Sequence, residues 1–240
     1  MYNTINIYFI HLQRRCFMST DFTLQDILYD KSYECPVCHN TFTSKSIRTG
    51  KNQVLSTDID LYTHYTVVNP LLYDAILCPE CGYCSLSKSF NSLLPTQVKW
   101  IREQVTTKYK KQSFSPYTSL NEAITKHQLA LVSSIIKKGK IGEQAYICLH
   151  IAWLYRDLKD HAQERIYLKK ALDGLKTALE TENFPLFNLD VFTTSYIIAA
   201  ISYTLEDYST AKSYLSDVIL NTTGKLKDRA LALKQLLLEA

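Results

Sequence analysis

Cys35-Pro36-Val37-Cys38 and its partner, Cys78-Pro79-Glu80-Cys81-Gly82, form the stretch from which this chain is read. Two Cys-x-x-Cys pairs supply four thiolates, the complete ligand set of a tetrahedral structural metal. In each pair the proline presets φ near about −65° and removes one amide, so the turn closes and the amides beyond it can face the sulfurs. Gly82 suits the positive φ that such a knuckle uses, whereas His39 holds the equivalent place after Cys38. His39 is therefore either a further ligand or an exposed knuckle residue, and a shell already filled by cysteines favours the second. Cys84 extends the second pair to C-x2-C-x2-C; a small buried thiol opening the next element is the favoured reading. An iron–sulfur cluster and thiol–disulfide chemistry are alternatives, but the long insertion and the two proline-containing knuckles fit a mononuclear ribbon better. The expected ligands are Cys35, Cys38, Cys78 and Cys81 around a structural zinc, with iron as the other candidate.

Seven cysteines, an odd number, with no secretory signal, favour metal ligation in a reducing compartment, and so the cytoplasm. The 240 residues are 46% hydrophobic and 21% charged, as in an ordinary globular chain of one large or two smaller domains. A formal charge of +4 is too small to argue for nucleic acid or membrane by itself. Residues 1–17 hold a short apolar patch with no basic residue before it and no cleavage site after it. Since Met18 opens a conventional polar start, residues 1–20 read as a leader upstream of the true start, or else as a peripheral amphipathic anchor. No run approaches the ~18 apolar residues of a membrane span.

Between the pairs, Thr41 to Arg48 offers strand candidates, Gly50-Lys51-Asn52 a turn, Asp58 to Tyr62 a strand, and Tyr73 to Leu77 the return strand. Asp58 and Asp60 share one face of such a strand, within reach of Arg48. An internal salt bridge is the favoured reading of that trio over a ligand site, and His64 reads as surface. These residues carry a resemblance. CPVC, Arg48, the pair Asp58 and Asp60, the step Asn69-Pro70-x-x-Tyr73 and CPECGY, followed by helices, resemble the bacterial "domain of unknown function 2225" family from about residue 30 onward. The resemblance implies a four-cysteine metal site and TPR-like helices, without an activity. His39 and Cys84 depart from the family pattern.

From Thr96 the period changes from two to 3.6. Helices are expected over residues 96–112, 119–138 (ended by Gly139 and Gly142), 143–158, 161–180, 189–205, 208–220 and 226–239. On the second of these, Leu120, Ile124, Leu129, Val132 and Ile136 face inward. An offset of 47 aligns Ile151 with Ile198, Ala152 with Ala199, Leu158 with Leu205, Asp160 with Asp207, and Tyr167-Leu168 with Tyr214-Leu215. Two helical hairpins of one design follow, TPR-like although longer than the usual ~34-residue period. The fold class is thus α+β, a zinc-ribbon-like β domain (21–95) before an all-α TPR-like domain (96–240). Trp153, Tyr155 and Tyr167 read as core; Glu143, Asp157 and Glu164 read as solvated charges; Cys148 and His150 lack a third partner for a second metal.

Residues 96–140 carry nine basic side chains against Glu103 and Glu122, a balance of +7, with Trp100, Tyr109 and Phe114 interleaved. Such a cluster serves nucleic acid or is a solvated face. Three functions compete. The first is a metal-stabilised adaptor whose helical repeats bind a protein or peptide partner, or a second copy. The second is nucleic-acid binding through helices 96–140. The third, a metal-dependent or redox enzyme using the metal or Arg48, Asp58 and Asp60, is weakest, because four cysteines close the shell and no nucleophile–base pair or phosphate loop is visible.

Overall fold

Alternation of tyrosine with polar residues makes the first strand, and the turn before it is held by Asp26, whose carboxylate accepts from the Thr23 amide at 2.9 Å. The computed structural model describes residues 22–48, 50–187 and 189–239; the leader reading lies outside them. After the single helical turn α1 (Leu24–Ile27), β1 (Leu28–Glu34) pairs antiparallel with β2 (Thr41–Ile47), from Leu28 opposite Ile47 to Glu34 opposite Thr41. This hairpin carries the first cysteine pair at its tip. A second hairpin joins β3 (Val54–Thr57) to β4 (Thr63–Tyr65). The strand expected over Asp58–Tyr62 is instead the tight turn between them. Asp58 donates its amide to Tyr62 O at 2.7 Å, the Asp60 carboxylate accepts from Tyr62 N at 3.4 Å, and Leu61 takes φ +70°. Aspartates that bind their own backbone favour such turns over strands. A 3-10 turn over Pro70–Tyr73, capped by Asn69 on the Leu71 amide, then leads to β5 (Ala75–Leu77) and β6 (Cys84–Leu86). These two strands are antiparallel, with the second cysteine pair at their tip.

Pro95 opens α2 (Pro95–Ile101), which widens into a π turn over Arg102–Thr106 and stops short of the expected Gln112. α3 (Leu120–Ile136) begins with a capping box: Ser119 Oγ accepts from Glu122 N, and Glu122 accepts from Ser119 N. Its buried face is Ala123, Ile124, His127, Ala130, Ser133 and Ser134; of the expected aliphatic stripe Ile124 is buried, Leu120, Leu129 and Ile136 pack half-buried at its edges, and Val132 is 46% exposed. Small side chains win that face because β5 and β6 lie against it: Cys84 N donates to Ser133 Oγ at 3.3 Å. α3 ends on Lys138 at φ +51° rather than on a glycine, and Gly142 lies inside α4 (Ile141–Asp157), where Leu186 occupies the space a Cβ would need.

The repeat at 47 is visible in backbone detail. α4 and α5 (His161–Thr181) are joined by Lys159 at φ +63° and Asp160; α6 (Val191–Thr204) and α7 (Tyr208–Asn221) by Glu206 at φ +68° and Asp207. Asp160 N donates to Tyr155 O and Asp207 N to Ser202 O, and each aspartate caps the following helix through the amide three residues on. α8 (Gly224–Glu239) packs last. The class is α+β, antiparallel strand pairs followed by helices, and the two share cores. Tyr62 packs with Leu149 and Trp153 of α4, Leu168 of α5 and Ile197 of α6, while Ile76, Tyr83 and Phe90 pack with Ile101 and Val105.

Candidate metal centre

The two hairpin tips place the four cysteine sulfurs within 4.8 Å of one another. The knuckles use one hydrogen-bond design. Cys35 N donates to Asn40 O and His39 N to Cys35 O; Cys78 N donates to Tyr83 O and Gly82 N to Cys78 O. Both closing residues are left-handed, His39 at φ +60° and Gly82 at +75°. Sulfurs of Cys35 and Cys81 stand 3.5 Å apart and those of Cys38 and Cys78 3.6 Å, far beyond a disulfide bond. Tetrahedral bonds of about 2.3 Å would set sulfurs about 3.8 Å apart, so the donor set fits one metal ion. Hydrogen bonding spreads the acidities: the bond with Cys35, then that with Cys81, draws Cys78 down to about 2, whereas Cys35 is pushed up to about 12 by Cys78 and Cys81 is raised as well. A divalent cation is what allows all four to be thiolates together. Arg102 of the π turn donates through Nε to Val37 O at 2.8 Å, tying the first knuckle to the helices.

His39 is exposed, 3.5 Å from Glu34, and stands outside the sulfur cluster, as expected of a knuckle residue. Cys84 is buried, and its thiol donates to Lys126 O at 3.1 Å in place of joining the cluster.

Arg48 does not pair with Asp58 and Asp60; its guanidinium lies over the Tyr29 ring. The partner is Arg156 of α4, which sequence reading passed over because 96 positions separate it from Asp60. Its Nη1 reaches Asp58 at 2.8 Å, its Nη2 Asp60 at 2.7 Å and its Nε Glu164 at 2.6 Å. Burial opposes the charge on Arg156, but Asp60 and then Glu164 overcome it and raise its pKa. Asp60, 1% exposed, also accepts from Trp153 Nε1 at 2.9 Å. His64 is half-buried on Asp58 at 2.8 Å, not free on the surface. Glu164 and Glu143 are buried and paired, the latter with Lys137 at 2.7 Å, and Asp157 accepts from Asn69 at 2.8 Å and from the Tyr62 hydroxyl. These were not solvated charges. Trp153 is core as expected, and Tyr155 and Tyr167 stack half-buried on each other.

His150 does acquire partners. Asp74, at the end of the 3-10 turn, and His127 of α3 bring a carboxylate and a second imidazole to it, all three donor atoms within 4.8 Å. Burial holds His150 down at about 3 despite Asp74, and lowers His127, so both rings are neutral near pH 7. The sequence signal for His127 was its spacing of three from Ile124 and Ala130; its partners are distant in the chain.

Much of the basic cluster is engaged internally. Arg102 binds Val37 O, Lys111 Glu80, Lys126 the Thr118 hydroxyl and the Phe114 ring, Lys137 Glu143, Lys138 the Trp100 ring and Lys99 Glu103. Among the described residues Lys108, Lys110 and Lys140 have no such contact. No described helix is long and apolar enough to cross a membrane.

A family model described as an uncharacterised protein conserved in bacteria (DUF2225) matches residues 28–237. An uncharacterised protein of Borreliella burgdorferi is 24% identical over 152 residues, 56% of this chain and 54% of that protein. The chain thus spans about half the length of that curated relative. No solved structure matches.

Proposed function

The chain belongs to the bacterial DUF2225 family, and from its site and helices we propose that it is a zinc-stabilised adaptor that binds a partner protein through TPR-like helical repeats. The observation that carries the metal half is the closed sulfur cluster. Four cysteines fill a tetrahedral shell and leave no position for substrate, the arrangement of a structural site. Zinc is the metal proposed for Cys35, Cys38, Cys78 and Cys81, and a reducing, cytoplasmic setting suits free thiols there. The metal-bearing domain is residues 21–95 and the helical domain 96–240.

Two features support the adaptor half. Hairpins α4–α5 and α6–α7 repeat one turn design, as stacked repeats do. Beside the last pair, Leu215, Ile219, Leu220 and Leu237 line an apolar groove flanked by Lys212 and Lys234. Leu220 is 78% exposed. The occupant we assign is an amphipathic helix of a partner, apolar on one face with acidic residues at its margins. The nucleic-acid alternative is less favoured because its lysines and arginine are largely committed within the chain.

Elemental analysis of the full chain, alongside Cys35→Ser and Cys81→Ser, tests the metal. Loss of thiolate-bound zinc and of stability in both variants is expected; retention in both would end the assignment. For the groove, fluorescence polarisation should show an acidic amphipathic helical peptide binding the wild type but not Leu220→Lys. Equal binding of its basic counterpart, or a dimer in sedimentation that Leu220→Lys dissolves, would overturn the assigned occupant.

A further inference from the structure

Among the described residues, two buried ring nitrogens have no hydrogen-bond partner, and they share one place in the fold. His127 Nε2 and His150 Nδ1 are both unpaired, in side chains from residues 0% and 3% exposed. Leaving such groups unmatched is costly, so an orphaned pair calls for a bound species. We propose that Asp74, His127 and His150 form a second metal site, for a divalent first-row transition ion, distinct in its ligands from the sulfur cluster.

Two of the three residues carry the hydrogen-bond supports that ligands need, and the third is held by ring packing. His127 Nδ1 donates its proton to Ala123 O at 2.8 Å, which fixes the tautomer and leaves a lone pair on Nε2. Ser87 Oγ donates to Asp74 Oδ1 at 2.6 Å, and Ser87 N donates to Asp74 O, which orients the carboxylate and leaves Oδ2 free. That oxygen is 3.6 Å from His150 Nδ1. The gap is too long for a hydrogen bond and close to the about 3.4 Å between two ligands on a tetrahedral ion with 2.1 Å bonds. The His150 ring is held between Trp153, at 5.6 Å and 26°, and Tyr146, at 4.3 Å.

Two imidazoles and a carboxylate suit zinc, iron(II) or cobalt(II), and three protein ligands leave coordination positions over. Asp74 and His150 both line a cavity of about 600 Å³ whose wall also includes Tyr62, Tyr146 and Lys88. The remaining positions are therefore open to water or a small oxygen-donor ligand. This contrasts with the closed thiolate shell and does not depend on it.

The test is cobalt(II) titration of the full chain, stripped of metal under reducing conditions and read by bound cobalt and by electronic spectrum. Thiolate ligation gives intense charge-transfer bands; the imidazole–carboxylate site gives only weak ligand-field bands. The wild type should bind two cobalt ions per chain. His127→Gln and Asp74→Asn should each bind one and keep the charge-transfer bands, with circular dichroism unchanged. Ser87→Ala, the mildest change, should keep both ions and weaken the second about 10- to 100-fold. A protein lacking the charge-transfer bands but showing ligand-field bands that His127→Gln removes would sink the sulfur-site reading and support this one. A single, thiolate-bound cobalt in the wild type, or a second ion that survives both ligand substitutions, would overturn the proposal; a bridging water would then satisfy the two nitrogens.

Discussion

Arg156 gathers Asp58, Asp60 and Glu164 on one guanidinium, and its removal would leave Asp60 charged and buried. Arg156→Ala is therefore expected to lower stability by about 3–5 kcal/mol in urea denaturation. Lysine should not rescue it, because one ammonium cannot reproduce the forked contacts. A loss under about 1 kcal/mol would mean that the network is solvated. At the knuckles, a Cβ on Gly82 would collide with the Tyr109 ring. Gly82→Ala should cost at least the about 1–2 kcal/mol of a left-handed alanine and displace Tyr109, while His39→Gly should be neutral or stabilising by up to about 1 kcal/mol. Thermal melts of the two would separate these outcomes; a tolerated Gly82→Ala contradicts the tight approach. Single residues were legible where chemistry is local: the four cysteines came from spacing alone. Arg156, Asp74 and His127 were not, since their roles arise only where elements distant in sequence meet. The Asp58–Asp60 pair is legible in the sequence, but its partner is the distant Arg156, because the nearer Arg48 lies over the Tyr29 ring.

Elements are legible in the sequence where a period or a turn signal governs them. β1, the return strand into the second knuckle and the α4–α7 hairpins followed from alternation, proline and the 47-residue repeat. The misplaced ones have two causes. The Asp60 carboxylate accepts from the Tyr62 amide and so holds a turn where a strand was expected, while α3 buries small residues because strands need room against it, so local hydrogen bonding in one place and tertiary contact in the other overrode the pattern. The matching turns make a prediction at this scale. Asp160→Ala removes the cap on Gln163 N and should cost about 1 kcal/mol, with a fall in melting temperature; Asp207→Ala should act in the same direction. Since the caps lie in separate hairpins, the double variant should show the sum. Strong non-additivity would indicate that the hairpins respond as one body.

At the scale of the molecule, strands and helices bury their apolar faces in common cores, so a metal held at the hairpin tips would bear on the helices too. Chelation is expected to lower the melting temperature seen by far-ultraviolet dichroism, which reports helices, together with tryptophan fluorescence, in one transition. Helical signal that melts unchanged after chelation would show that the two parts hold themselves independently. The sequence announced the α+β class and the order of parts, yet not this sharing, because apolar period tells that a face is buried and is silent on what covers it.

The sulfur cluster also closes a loop. Cys38 and Cys78 lie 40 positions apart, and β3, β4 and the turn bearing Asp58 and Asp60 fall wholly inside that span. In kinetic terms a metal held there would be a long-range clamp: once it was set, the hairpin would approach α4 from a tethered start, with part of the chain entropy of that encounter already lost. Stopped-flow refolding should be faster with metal than with chelator; equal rates would place hairpin docking before metal capture. The ion at the tips would then govern the order in which this chain finds its contacts as well as how firmly it keeps them.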